Sequence, residues 1–183
     1  MHSSWRVLWL MMLAPILVVA AAAGWADDAP PAAGQPAQWV SRKINFTYVG
    51  FVTRYTCDDL VDRMRNVLLV LGARKEDLNI HATGCTSDGG QVERLPGVAG
   101  TFSVLVSSEA DSVDAVAAGW QRVAVSADAS YCELLQQVGR KVLPLFSARN
   151  AQFSSTCPAQ AVIGSQKLTA EVLAPLSAQP RQP

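Results

Sequence analysis

The chain is expected to fold as an α+β domain made of an internally duplicated β-α-β-β unit. The two units form one mainly antiparallel sheet of about six strands, with two helices on one face. Three observations lead there. The stretch Cys57–Arg74 aligns without a gap on Cys132–Arg149, with seven of eighteen positions identical. A further cysteine follows each copy at a similar interval, Cys85 and Cys157. Hydrophobic spacing then alternates between period 2 and period 3.6 in the same order in both halves.

The N-terminus reads as an export signal, residues 1–26. Arg6 is its only charge, ahead of the apolar run from Val7 to Ala23, and Gly24 and Ala26 suit the −3 and −1 sites of cleavage before Asp27-Asp28. The competing expectation is a retained anchor, because that run is at the lower limit for crossing a bilayer. Residues 27–40, rich in Ala and Pro, read as a flexible linker, and 177–183 as a disordered tail. The domain is placed at 41–176, with halves at about 41–107 and 118–176.

The first element is a strand from Lys43 to Tyr55 with a phase change at Gly50. Thr56 then caps a helix, with Asp59 as its box partner. Leu60, Met64, Val67, Leu68 and Leu71 make that helix's apolar stripe, and Gly72 stops it. Leu78 to Cys85 returns as a strand. Thr86 to Gly100 reads as a polar, Gly-rich loop and Thr101 to Ser107 as the third strand. Ser108 to Gly119 is either a helical turn or an ordered loop.

Trp120 to Ser126 opens the second copy. Ser130 is its expected helix cap with Glu133 as box partner, and Pro144 should loosen the last turn. Asn150–Thr156 and Gln166–Leu173 complete the unit.

Four cysteines behind an export signal point to disulfides. A helix from Cys57 to Gly72 is about 22 Å long, and a strand from Leu78 to Cys85 covers a similar distance back. The expected pairs are therefore Cys57–Cys85 and Cys132–Cys157, each contributing on the order of 3 kcal/mol in the chain-entropy description.

Chemistry is thinly marked. Removing the signal leaves basic and acidic side chains nearly balanced, which argues against nucleic acid or an anionic membrane surface as a partner. His81 is the one histidine beyond the signal. A zinc site from His81 and cysteines lacks the Cys-x2-Cys spacing, so neither a metal nor a cofactor is expected. Asp58, Asp59 and Asp62 open the first helix, where acids complement the helix dipole and Asp59–Arg63 forms an i,i+4 pair. The second copy has Glu133, Leu134 and Gln137 there, so the fold does not require the acids. Arg65/Arg140 and Arg74/Arg149 recur in both copies, which favours a structural task for them. No phosphate-binding loop or nucleophile elbow is present.

The strings Thr53-Arg54-Tyr55-Thr56-Cys57-Asp58, Gly84-Cys85, Cys132-Glu133-Leu134 and Leu143-Pro144-Leu145-Phe146-Ser147-Ala148-Arg149-Asn150 resemble a group of uncharacterised exported proteobacterial proteins. The resemblance spans most of the domain and implies a periplasmic or secreted location. It brings no activity with it. The expected function is a non-catalytic binding or interaction module, without stable membrane insertion once the signal is cleaved. Its partner is a protein or small molecule, and Arg54, Asp58, Asp62 and His81 are the candidate binding residues. The alternative is a hydrolase that uses carboxylates of the first helix with His81.

Overall fold

The computed structural model describes residues 34–51, 53–86, 92–109, 113–127, 131–153 and 166–176. The elements in chain order are β1 (Gln35–Thr47), α1 (Cys57–Val70), β2 (Asn79–Thr83), β3 (Gly97–Ser107), β4 (Val116–Ala127), α2 (Cys132–Lys141), β5 (Ala148–Phe153) and β6 (Gln166–Pro175). Short 3-10 turns follow each helix, at Lys75–Asp77 and Leu143–Leu145. The fold is α+β: one six-stranded sheet, in the order β2-β3-β1-β4-β6-β5, with every pairing antiparallel. Read inward from either edge, the order is second strand, third strand, first strand of a β-α-β-β run.

Alternation along the strands divides the sheet into two faces. Ile44 and Phe46 of β1, Val98, Phe102 and Val104 of β3, and Leu168 and Ala170 of β6 meet Leu60, Met64, Leu68, Leu134, Leu135 and Val138 from the helices in one core. Both helices therefore share this side of the sheet. Phe102 stacks on Phe146 there at 5.3 Å between centroids. On the other side lies a smaller cluster of Ala37, Leu105, Ala118 and Leu173, flanked by Trp39, Val116 and Trp120.

The helix signals act as their chemistry requires. Thr56 accepts from the Asp59 amide at 3.2 Å, capping α1. Gly72 follows at φ +95°, a left-handed position that ends the helix where a side chain would be strained. Pro144 sits in the 3-10 turn that ends α2, which is the expected loosening.

Several bounds differ from the sequence expectation. β1 begins at Gln35, inside the stretch read as linker, and ends at Thr47 rather than Tyr55. Its first residues are held by pairing on both sides, Ala37 with Ser107 of β3 and with Val116 of β4, so a run unable to order itself is ordered by neighbours. β3 and β4 likewise reach back to Gly97 and Val116, into the stretches read as loops. For α2 the N-cap is Tyr131, without a side-chain cap bond, and Ser130 lies outside the described residues. So do the export signal, the tail and Cys157.

Cys57 and Cys85 are joined, with Cα atoms 6.3 Å apart, as the helix-and-return arithmetic requires. Cys132 is not a free thiol, and its expected partner, Cys157, is beyond the description.

The two middle strands touch only briefly. β1 and β4 pair over Gln35–Ala37 and Val116–Ala118, then run apart. The helices bridge what the strands leave open. Ser147, just after α2, donates its hydroxyl to the Leu105 carbonyl of β3 at 2.8 Å, and its backbone carbonyl accepts from the Leu173 amide of β6. Gly72, which aligns with Ser147, lies beside the Leu173 carbonyl.

Candidate functional site

The segment after β1 does not continue as a strand; it is clasped by α2. Gln137 mimics a strand neighbour for Val49, accepting from its amide at 3.2 Å and donating to its carbonyl at 2.8 Å. One turn earlier, Glu133 accepts from the Phe51 amide at 3.1 Å, the Thr53 amide at 3.4 Å and the Tyr48 hydroxyl at 3.1 Å. The single Tyr48 proton is shared with the Thr53 carbonyl, 3.0 Å from the hydroxyl, which closes the loop on itself. Gly50 is needed inside this turn, because a Cβ there would collide with the Tyr48 hydroxyl and the Thr53 carbonyl. Burial pushes the Tyr48 hydroxyl well above its ordinary pKa, and the neighbouring Tyr55 and Glu133 add to the rise.

The product of this clasp is an outward phenylalanine. Phe51 is 90% exposed on a backbone that Glu133, Gln137 and Tyr48 hold still. The 92–96 segment abuts it, since the Tyr48 amide donates to the Pro96 carbonyl, the Glu93 amide donates to the Tyr55 carbonyl, and Thr56 bridges to Val92. Val49, Val92 and Leu95 are also exposed, so four large apolar side chains gather at this end of the domain.

All three tyrosines of the chain lie close by. Tyr55 meets Tyr48 edge-on at 4.8 Å. The Arg63 guanidinium stands 5.2 Å from the Tyr55 ring centroid and 3.7 Å from that of Tyr131. The expected Asp59–Arg63 pair is thus replaced by a cation held between aromatic rings, and the first helix's ion pair is Asp62–Arg65 at 2.6 Å.

Of the candidate binding residues, Arg54, Asp58 and Asp62 are exposed near the start of α1, and His81 is exposed on β2. The structure does not unite them. Ile80 faces the helical core and His81, paired opposite Ala99, faces the helix-free side. The sheet therefore stands between His81 and the α1 carboxylates. Among the described residues no group of three or more His, Cys, Asp or Glu side chains could hold a metal.

Of the recurring arginines, Arg65 pairs with Asp62 and Arg140 donates to the Gln136 carbonyl, while Arg74 and Arg149 find matching tasks on the helix-free face. Arg74 lies over Trp39 at 5.6 Å and Arg149 over Trp120 at 4.3 Å. Arg149 also pairs with Glu171 at 2.7 Å, which holds that carboxyl below the usual range. Each arginine and tryptophan brackets a leucine, Leu105 or Leu173, paired opposite the tryptophan.

Sequence reasoning passed over Glu133, Gln137, Arg63 and Phe51. Phe51 carried a signal in principle, as a large apolar side chain breaking the inward alternation after Tyr48. The chain matches no protein family, no curated protein and no solved structure.

Proposed function

We propose that the protein is a non-catalytic interaction module of an exported protein, built from two copies of one β-α-β-β unit. The observation that carries the functional part is the display of Phe51. A solvent-exposed phenylalanine on a mobile loop would be unremarkable. Here a carboxylate, an amide and a phenol are committed to fixing the backbone that presents it, and Val49, Val92 and Leu95 widen the apolar area. Fixing the loop in advance lowers the ordering cost of association. Exposed Arg54, Asp58 and Asp59 supply charges of both signs near the apolar centre, which suits a protein partner with a recess for one aromatic anchor.

The duplication is supported by more than the helices. Ala37-x-Trp39 in β1 is repeated as Ala118-x-Trp120 in β4, and Val104-Leu105 in β3 as Val172-Leu173 in β6. These residues occupy matching places in the sheet. The second disulfide, Cys132–Cys157, belongs to the same proposal, as does the periplasmic or secreted location.

The hydrolase alternative loses its geometric basis, because its proposed base and acids lie on opposite sides of the sheet.

A photo-crosslinking amino acid placed at Phe51 of the full-length chain, with Ser41 on the helix-free face as control, tests the reading. A discrete adduct from position 51 alone is expected. Equal adducts from both positions, or none from 51, would overturn it.

A further inference from the structure

Arg63 is half-buried, yet it has no counter-ion among the described residues, and its Nη1 is buried with no hydrogen-bond acceptor. The nearby carboxylate of Glu133 accepts from Tyr48, Phe51 and Thr53. Stacking between tyrosines recovers about 0.5–2 kcal/mol per ring, but gives Nη1 no acceptor, and a buried donor without one is costly. The fold does not impose this cation. In the alignment of the two helices Arg63 falls on Val138, which is fully buried.

Arg63 also lines a groove. Arg63, Val67 and Val70 share one stripe of α1, at i, i+4 and i+7. With Val125 and Ser126 of β4 and with Tyr131 they bound a space of about 470 Å³. That volume lies within the range of small-molecule sites. Asn66 and Ala124 complete the lining, and Arg63 is the one charged side chain among its described residues.

We propose that this groove binds a small carboxylate-bearing molecule with a short apolar tail. Arg63 takes the carboxylate through charge-assisted hydrogen bonds. Val67, Val70 and Val125 take the tail. The site is independent of the Phe51 surface and can stand or fall without it.

Calorimetric titration of the full-length protein tests the assignment, with octanoate as the probe and acetate, inorganic phosphate and octylammonium as comparisons. Octanoate should bind saturably at one site, acetate and phosphate at least about tenfold more weakly, and octylammonium without saturation. Arg63→Val, which copies Val138, should weaken octanoate by at least about tenfold. Val70→Trp, made at an exposed position on the groove wall, should do the same without touching the cation. Octylammonium binding as well as octanoate, phosphate binding equally well, or no saturation below about 10 mM would each overturn the proposal. So would octanoate affinity unchanged in Arg63→Val, and if that variant does not fold, unchanged affinity in Val70→Trp decides against it.

Discussion

The two halves differ most where each receives the chain arriving from the other's first strand. On α2, Glu133 and Gln137 reach out and clasp the segment after β1, filling the space with hydrogen bonds. On α1 the aligned positions are Asp58 and Asp62, both exposed, and of the described residues after β4 it is Tyr131 that meets the helix, on Arg63. One docking is closed and the other leaves a groove. Meanwhile the helix-free cluster is matched at three pairs, Ala37 with Ala118, Trp39 with Trp120 and Leu105 with Leu173, and Val116 alone lacks an apolar counterpart. The halves share the joints of the helix-free cluster and differ at the receiving ends of their helices.

The largest test of that contrast concerns the covalent staple. Replacing Cys57 and Cys85 by serine should lower stability by about 3–4 kcal/mol, from the 28-residue separation they close. Denaturant unfolding of the double variant measures it. Next come the matched leucines. Leu105→Ala and Leu173→Ala should each cost about 2–4 kcal/mol, and nearly equally; a large loss from one and a small loss from the other would break the equivalence of the halves.

Glu133→Ala should cost about 1–3 kcal/mol, because it strands two amides and a phenol. It should also release the Phe51 loop to proteolysis. The aligned change Asp58→Ala, at an exposed position, should stay within about 0.5 kcal/mol. If both behave alike, the contrast between closed and open docking is wrong.

Titration sharpens it further. Tyr48 ionises with more difficulty folded than unfolded, so the unfolded chain loses its proton first and stability falls as pH rises past the ordinary value of 10.0. Tyrosinate absorbance should therefore show Tyr48 titrating only with unfolding, a signal that Tyr48→Phe removes. At the acid end, Glu171 has the opposite sign. Its lowered pKa contributes stability above the ordinary 4.5 that disappears as pH falls through the folded value. The smallest effects belong to the stacked arginines. Arg149→Ala should alter Trp120 emission more than Arg74→Ala alters that of Trp39, since the guanidinium lies closer, 4.3 against 5.6 Å.

What the sequence revealed was local. Thr56 as a cap, Gly72 as a stop and the return of Cys85 to Cys57 follow from spacing within one unit, and all three hold. The repeat likewise marked Arg74 and Arg149 as structural before their tryptophans were known. What stayed hidden depends on contacts between the halves. Gln35 to Val40 lack a strand signature of their own and are ordered by β3 and β4. Glu133 looks like a capping-box residue and spends its carboxylate 82 residues away on Phe51. Arg63 sits at i+4 from an aspartate and turns instead to a tyrosine from the other half. Propensity and periodicity carry no record of such choices.

The brevity of the β1–β4 seam has a consequence for aggregation. Beyond Ala37, β1 has no strand partner on its β4 side among the described residues, and α2 side chains stand in for one, with Lys141 donating to the Thr47 carbonyl and Gln137 engaging Val49. Fraying of α2 would uncover a strand edge in the middle of the sheet, with the charges of Arg42 and Lys43 as its remaining guard. A partly opened molecule would then offer a neighbour a ready template, so the helix that holds Phe51 in place also keeps the sheet from growing.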